Sequence, residues 1–336
     1  MERKKFLRAA SGPLALLILL IAGITWLTRE RAERKHDVLH VMSYSSFVSA
    51  WGPAPELAKL WKAQTGLDVE FQDASDAGLI LEKMKLFPVD AVIGLDQLSL
   101  DDARERQAWR QLPESIASGA KPFNEFLPID YAAVGFIFRE GEIEPPKSLS
   151  DLADPRFRGA IALQDPRSSS PGMLFFFWVL DRMGVEEGFK FLESLKPNVA
   201  VVASGWSGSY GAFTKGRAKT ALSFVTSPAY HWSEEKDRRY HAAVFEEGHP
   251  IQTEYAAIPI DCRSCETAER FLSFLRSPEA QAIIMQKNVM FPIDPDVRKG
   301  TVFTELNEPQ TYVMKSLPEL QKRRAELFER WRAMGL

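Results

Sequence analysis

The chain has 336 residues, which exceeds the usual size of a single hydrophobic core, so two lobes are predicted. Its formal net charge is -3, with 42 basic and 45 acidic residues, and this balance provides no large positive field. A nucleic-acid partner is therefore not expected, whereas small neutral or cationic ligands fit the composition.

The N-terminal segment, residues 1–37, carries an export signal. Basic residues from Arg3 to Arg8 precede an apolar run from Pro13 to Leu27. The run falls between the length of a signal-peptide core and that of a membrane span, and no small-x-small cleavage site follows it. A cleaved signal peptide and an uncleaved inner-membrane anchor with a charged linker both remain open, and either predicts a periplasmic main domain.

Residues 38–130 alternate between strand and helix patterns. Val38 to Tyr44 is rich in β-formers, Pro55 opens an amphipathic helix, and Gly66 ends it. A second strand, a helix "AGLILEKMKLF" and the apolar strand from Val89 to Asp96 follow. This β-α-β-α-β order predicts a mostly parallel sheet, with ligand-binding loops at the carboxyl ends of its strands.

Two extended segments divide the rest of the chain. Leu127 to Glu140 leads into a second α/β lobe, predicted at 131–248, in which the helix containing "FFFW" is expected to be buried. His249 to Ile260 is again extended, so 249–336 is predicted to return to the first lobe and to end in helices, with 309–336 helical. Two extended crossings between two α/β lobes predict a hinge and a closing cleft.

Two predicted helix starts in the second lobe could hold an anion. Ser168 and Ser169 precede a proline-started helix, and Trp206 and Ser207 lie at the start of another. Hydroxyls and free backbone N–H groups converge at such ends, where the helix dipole favours negative charge. An ordinary helix cap is the alternative for the serines. Trp206 lies between glycines and is favoured as a cleft aromatic.

Aromatic side chains and acids follow several predicted strands. Tyr44 and Trp51 come after the first strand, Tyr230 follows a strand in the second lobe, and Asp76 and Asp96 are nearby acids. Each aromatic alone is more often a packing residue. Together, at strand ends, they could enclose a planar cation by stacking, cation-π attraction and an opposing carboxylate.

The motifs of catalysis and metal binding are missing from the sequence. The five histidines have no HExxH spacing, and no GxSxG elbow is present. Cys262 and Cys265 form a CxxC before a predicted helix, for which a structural role is favoured over a redox or zinc site, and export would allow them to form a local disulfide. We therefore expect no catalytic residue, no metal and no cofactor.

Five segments, in this order, carry a family resemblance: "YSSFVSAWGP", "QDPRSSSPG", "GWSGSYGAFTKG", "SFVTSPAYHWSEEK" and "FEEGHPIQTEYAA". They closely resemble the periplasmic thiamine-binding proteins of ABC transporters, over nearly all of the chain after about Asp37. The resemblance implies a type II periplasmic-binding-protein fold, a two-lobed Venus flytrap of the α/β class, with thiamine or a thiamine phosphate between the lobes.

The resemblance also implies roles for individual residues. Aromatic rings enclose the ligand rings, an acid opposes positive charge, and hydroxyls hold the phosphate end; the candidate ligand-binding residues are Tyr44, Trp51, Asp76, Ser168, Ser169, Trp206, Ser207, Phe224 and Tyr230. Two positions depart from the family pattern, because Phe224 replaces a tyrosine and Val289 replaces a tryptophan. A lost stacking wall costs roughly 1 to 3 kcal/mol, so a related pyrimidine is a further candidate ligand.

The predicted function is a monomeric, non-enzymatic solute-binding subunit that delivers thiamine or a thiamine phosphate to an ABC permease in the inner membrane. One alternative is a thiamine-degrading transferase-like enzyme on the same fold, which requires a cleft nucleophile such as a cysteine. Another is a membrane-tethered receptor for a different small cation or pyrimidine.

Overall fold

Strands from distant parts of the sequence build the sheets of this protein. The computed structural model describes residues 38–117 and 124–336. The strands in these ranges are β1 (Val38–Ser43), β2 (Asp68–Asp73), β3 (Ala91–Asp96), β4 (Phe126–Arg139), β5 (Ile161–Gln164), β6 (Val199–Ala203), β7 (Thr220–Phe224), β8 (Tyr240–Ala242), β9 (Ile251–Ala257) and β10 (Phe291–Pro292).

The helices follow the glycine and proline signals of the sequence. Gly66 ends the second helix with a left-handed φ of 75°, a conformation that glycine adopts without a steric penalty. The α-helices in the same ranges are α1 (Ser45–Val48), α2 (Ala54–Thr65), α3 (Ile80–Lys83), α4 (Leu100–Arg106), α5 (Glu114–Ala117), α6 (Ser170–Met183), α7 (Val185–Leu195), α8 (Trp206–Thr214), α9 (Pro228–Tyr230), α10 (Cys265–Leu275), α11 (Pro278–Asn288), α12 (Leu317–Lys322) and α13 (Arg324–Met334).

Shorter helices connect these elements. A π-helix, His231–Glu235, continues directly from α9. The 3-10 helices are Ala77–Leu79, Ser150–Ala153, Pro155–Phe157, Lys196–Asn198, Pro295–Arg298 and Val302–Glu305.

The first lobe is built on the strand order β2-β1-β3-β9-β4. β1 pairs in parallel with both β2 and β3, whereas β9 runs antiparallel between β3 and β4. The carboxyl ends of β1, β2 and β3 therefore lie at one edge, where the loops that follow them can approach the second lobe.

β4 joins the two lobes because each half of it pairs with a different partner. Its residues from Phe126 to Ala133 pair with β9, and those from Val134 to Phe138 pair with β7. The second sheet continues from β7 to β5 and β6 in parallel. The chain returns to the first sheet through His249 and Pro250, so two extended segments cross between the lobes as predicted.

Each lobe has its own apolar core. α6 is almost wholly buried, and Phe175, Phe176, Phe177 and Trp178 are each at most 1% exposed, which confirms the predicted buried helix. The C-terminal helices α12 and α13 cover this core of the second lobe through Leu320, Leu327 and Trp331. In the first lobe, α2 packs Leu57 and Trp61 against α10 and the sheet.

Two helix predictions were wrong in extent. The segment "AGLILEKMKLF" forms only a 3-10 helix and the short α3, which ends at Lys83, and Pro88 disfavours helical backbone at Phe87 alone. The tail 309–336 is not one helix: residues 309–316 are outside helices, and Arg323 separates α12 from α13. Pro318, at the start of α12, fits a first helical turn because its missing N–H would have no partner there.

The predicted export or anchor segment, residues 1–37, lies outside the described residues. Within 38–117 and 124–336, no helix combines the length and the apolar character that a membrane crossing requires.

Candidate functional site

Asp76 of the first lobe contacts the second lobe. It follows β2 and caps the 3-10 helix Ala77–Leu79, where its carboxylate accepts a hydrogen bond from Gly78 N at 3.3 Å. A Cβ added at Gly205, which precedes α8, would lie 2.6 Å from Asp76 Oδ2. One added at Gly78 would lie 3.1 Å from the carbonyl oxygen of Ser168. The loop after β2 therefore packs against the loops that open α6 and α8.

The environment of Asp76 changes its acidity. Burial raises its pKa from 3.8 to about 7, even though backbone N–H groups, including those of Gly78 and Ser170, favour the charged form. The neighbouring Asp96 carboxylate raises the pKa further. Asp76 is therefore close to half ionised near neutral pH, and a nearby positive charge would drive its ionisation.

Two helix starts of the second lobe lie side by side. Ser169 is the N-cap of α6 and is 2% exposed, and its hydroxyl has no hydrogen-bond partner among the described residues. The hydroxyl of Ser168 donates to the carbonyl oxygen of Ser204, 2.6 Å away, and so ties the loop before α6 to the loop before α8. Because Asp76 lies at these same helix starts, a carboxylate already faces the place where the sequence predicted a phosphate.

Trp206 begins α8 and is held on two sides. Its indole Nε1 donates to Ser223 Oγ at 2.7 Å, and its ring stacks on Tyr210 with centroids 4.8 Å apart and planes 14° apart. Tyr210 in turn contacts His231 Nε2 through its hydroxyl at 2.8 Å, and His231 Nδ1 lies 2.6 Å from Glu235 Oε2. A chain of packed rings thus fixes the orientation of the indole.

The side chain of Tyr44 is buried rather than exposed on the surface of an open cleft. It is 8% exposed, and its hydroxyl lies 2.6 Å from Glu254 Oε2 and 3.0 Å from Asn288 Oδ1. Its ring fills the space over Gly94, where an added Cβ would come within 2.5 Å of ring carbons. Burial and the charges of Glu254 and Asp130 raise the Tyr44 pKa well above 10.0, so the phenol stays a hydrogen-bond donor.

Three buried carboxyl groups lie beside Tyr44. Asp96 on β3 pairs with Glu254 on β9, and Glu254 pairs with Asp130 on β4, so the three form one row across adjacent strands. They are 1%, 4% and 0% exposed, in that order. Asn288 Nδ2 donates to Asp130 Oδ2 at 2.8 Å, which ties the row to α11.

The three carboxyl groups of the row keep their protons to a higher pH than exposed carboxyl groups do. Burial raises the pKa of Asp96, although hydroxyl and backbone groups of Ser170, Leu98 and Ser99 counter it. Burial together with the charge of Glu254 raises the pKa of Asp130 well above 3.8. Burial also raises the pKa of Glu254. Like charges this close in a low-dielectric interior disfavour full ionisation of all three groups.

The remaining candidate residues differ widely in exposure. Trp51 is 55% exposed and Tyr230 42%, so both rings are open to solvent, and Ser207 is exposed on the first turn of α8. Phe224 ends β7 and packs against the core of the second lobe. Val289 has a φ of 56°, which is unusual for a β-branched residue, and it packs near Ala229, next to Tyr230.

The structure thus brings together some, but not all, of the candidate ligand-binding residues. Asp76, Ser168 and the loop before Trp206 meet where the lobes touch, whereas Phe224 faces a core. Sequence reasoning missed Asp130, Gln252, Glu254 and Asn288. A signal was present, because Gln252 and Glu254 occupy the buried positions of the alternating strand β9, where apolar residues are the rule. That the candidate residues contact a ligand stays a prediction.

Two lobes, two crossing segments and a polar site where the lobes touch define the class of two-lobed proteins that close on a small molecule. Comparison with known proteins agrees with this class. The family model described as bacterial extracellular solute-binding protein matches residues 100–311. The chain belongs to this family, and the predicted type II periplasmic-binding-protein fold is confirmed.

Several known proteins resemble this chain over most of their own length. A thiamine-binding periplasmic protein of Salmonella typhimurium is 32% identical over 303 residues, covering 88% of this chain and 92% of the relative. One of Escherichia coli K12 is 31% identical over 305 residues, with 88% and 92% covered. A solved structure of a periplasmic thiamin binding protein has a TM-score of 0.81 and 30% identity, covering 88% of this chain and 96% of that one.

A more distant likeness concerns the fold alone. A ferric binding protein from Campylobacter jejuni has a TM-score of 0.70 and 18% identity, covering 88% of this chain and 99% of that one.

Proposed function

We propose that this protein is the extracytoplasmic solute-binding subunit of an ABC importer, and that it binds thiamine or a thiamine phosphate between its lobes. The observation that carries the proposal is the similarity of about nine-tenths of the chain to proteins named as thiamine-binding, at 31% and 32% identity. The family described as extracellular solute-binding supports the same role.

The electrostatics of the site support a cationic ligand. Asp76, Asp96, Asp130 and Glu254 cluster where the lobes meet or next to it, and burial raises the pKa of each. Thiamine carries a permanent positive charge on its thiazolium ring and has two flat rings, which suit acids combined with the ring of Trp206. A cation entering this site would lower the free-energy cost of ionising its acids.

The proposed partner is an ABC permease in the inner membrane, which receives the ligand from a periplasmic, monomeric binding protein. The proposed activity involves binding and release without a chemical step. For residues 1–37, the intact mass of the exported protein distinguishes an uncleaved anchor from a removed signal peptide.

The enzyme alternative is weakened by where the cysteines lie. Cys262 and Cys265 form a disulfide, so neither is a free thiol. The backbone N–H groups of Arg263 and Ser264 bind Asp90 Oδ1, just before β3, whereas Asp96 ends that strand at the site. Six residues of strand place the disulfide roughly 20 Å from the site. The receptor alternative is tested by the neighbouring genes, since an adjacent permease and ATPase favour import.

Titration calorimetry tests the proposal directly, using thiamine, thiamine monophosphate, thiamine diphosphate and the free aminopyrimidine. We expect at least one thiamine species to bind with a dissociation constant of about 1 µM or tighter. Truncating the exposed Trp51 to alanine should weaken binding, whereas Leu86→Ala, an exposed apolar control on the loop that enters β3, should not. If no thiamine species binds, the proposed function is wrong.

A further inference from the structure

A row of carboxyl groups crosses three neighbouring strands of the first lobe. Asp96, Glu254 and Asp130 are direct partners in the register of β3, β9 and β4, so their side chains share one face of the sheet. Like charges directly opposite each other destabilise a sheet, and burial strengthens the repulsion. A purely structural role would be served better by apolar residues at these positions.

No basic side chain neutralises the row. Within 38–117 and 124–336, none of the three carboxylates forms an ion pair with lysine or arginine. Their polar contacts come from Tyr44, Asn288, Gln252, the backbone near Ser99 and the hydroxyls of Ser99 and Ser170. Each contact supplies a neutral donor, so any negative charge that forms on the row is left for another group to balance.

Several buried oxygen atoms in and beside the row can accept hydrogen bonds. Within the described residues, the Ser170 hydroxyl is the neighbour of the Asp96 carboxyl whose Oδ2 is buried, and Asp130 Oδ1 is buried with no hydrogen-bond partner. The same holds for Oε1 of Gln252, a residue that is 2% exposed and whose amide nitrogen lies 3.4 Å from Glu254 Oε1. Buried acceptors without donors cost free energy, so this place suits a group rich in N–H donors.

The row reaches the boundary between the lobes. Its Asp96 end lies beside the hydroxyl of Ser170, the first residue of α6 in the second lobe, and that hydroxyl favours the charged form of the Asp96 carboxyl. Separation of the lobes would therefore open this end of the row to a ligand entering from the cleft.

We propose that the row formed by Asp96, Glu254 and Asp130, together with Gln252, is the subsite for an N–H-donating, positively polarised heterocycle. This inference rests on the proposed function. In thiamine the N–H donor is the amino group of the aminopyrimidine, since the thiazolium ring carries charge but no N–H. The aminopyrimidine therefore enters the first lobe, and the hydroxyethyl or phosphate end points toward the starts of α6 and α8.

Other titratable groups lie near the row, and their protonation states must stay constant in a test. They are the phenol of Tyr44 after β1 and the carboxyl of Asp76 after β2. Tyr255, next to Glu254 on β9, points to the opposite face of the sheet, but the charge of Asp96 also influences its phenol. Burial raises the pKa of Glu254 to about 7, so measurements at about pH 8 keep its carboxylate mainly ionised.

Oxythiamine, which has an exocyclic carbonyl oxygen in place of the amino group, is the probe. Wild-type protein should bind thiamine at least about 100-fold more tightly than oxythiamine, because the carbonyl would face acceptors only. Glu254→Gln provides an N–H donor at the same place, so it should weaken thiamine binding and reduce the preference to less than about 10-fold. The variant Asp130→Asn serves the same purpose if Glu254→Gln does not fold.

The control is Glu319→Gln on the exposed surface of α12, which should keep the wild-type preference. Equal binding of thiamine and oxythiamine by the wild type, or an unchanged preference in folded Glu254→Gln and Asp130→Asn, overturns this inference and leaves the proposed function standing. Absence of binding by every thiamine species overturns both.

Discussion

The Asp76 carboxylate of the first lobe lies directly against Gly205 of the second. A Cβ at position 205 would approach Asp76 Oδ2 to 2.6 Å, a distance that real Cβ atoms do not reach. The backbone at Gly205 is extended, with a φ of -158°, so alanine fits there without backbone strain. The glycine leaves room for the Asp76 carboxylate to approach this closely, and a side chain at this position would force that carboxylate to move.

Gly205→Ala should therefore impair closure more than folding. We expect thiamine affinity to fall about tenfold, since a shift of the lobes that costs about 1.4 kcal/mol has that effect. Gly211→Ala on the same helix is the control, because nothing lies within 4 Å of its added Cβ. Calorimetry measures the affinities and thermal melting the stability. Equal affinities for the two variants would show that the Asp76 contact does not limit closure.

Asp76 should also select between phosphorylated forms of the ligand. Its carboxylate lies where the starts of α6 and α8 meet, so it repels a phosphate while attracting a ring cation. Asp76→Asn should shift the affinity ratio toward thiamine monophosphate by about tenfold.

The selectivity of the wild type should depend on pH. As pH falls through about 7, Asp76 takes up a proton and the ratio should approach that of Asp76→Asn, which itself should vary little. Calorimetry at several pH values measures both, with Asp68→Asn, on exposed β2, as the control. A ratio unaffected by either pH or Asp76→Asn would contradict this role.

The stability of the ligand-free protein should fall as pH rises toward neutrality. The pKa of Asp76 is raised from 3.8 to about 7 by burial, so the folded state binds more protons than the unfolded state between these values. Its contribution is fully present below about pH 4 and is lost as pH rises through about 7. Asp76→Asn should flatten the dependence of the melting temperature on pH; an equally steep dependence would argue against burial as the cause.

Much of the fold follows from local patterns. Strand and helix alternation, the Pro and Gly signals and the two extended segments predicted the α/β lobes and their crossings, because each is a property of a few adjacent residues. The buried run from Phe175 to Trp178 was likewise evident from hydrophobicity. The helix predicted to continue over 84–87 is not present there, since α3 ends at Lys83.

The site was predictable only in part. The serines and Trp206 at helix starts were recognisable, because helix caps are local. The row of Asp96, Glu254 and Asp130 depends on the register of three strands that are far apart in sequence, and register is decided by tertiary packing. The burial of Tyr44 against Gly94 depends on that same packing.

His231 should act on ligand binding through Trp206. The hydroxyl of Tyr210 has His231 Nε2 as its partner, and Tyr210 supports the indole by stacking. His231→Leu removes the acceptor and should weaken thiamine binding about three- to tenfold. In a Trp206→Phe background the same change should have less effect, and this double-mutant cycle separates positioning from general destabilisation. Additive effects would mean that His231 acts independently of the indole.

Removing the disulfide should affect stability without affecting binding. Cys262 and Cys265 are three residues apart, so their bond closes a short loop, for which chain entropy gives roughly 2 kcal/mol of stabilisation. The double variant Cys262→Ser/Cys265→Ser should melt a few degrees lower. Its thiamine affinity should match the wild type, because the loop is held by Asp90 at the far end of β3.

An incubation of either protein with thiamine and a nucleophilic amine should leave the vitamin intact. Vitamin cleavage by the wild type that disappears in the double variant would instead support the enzyme alternative.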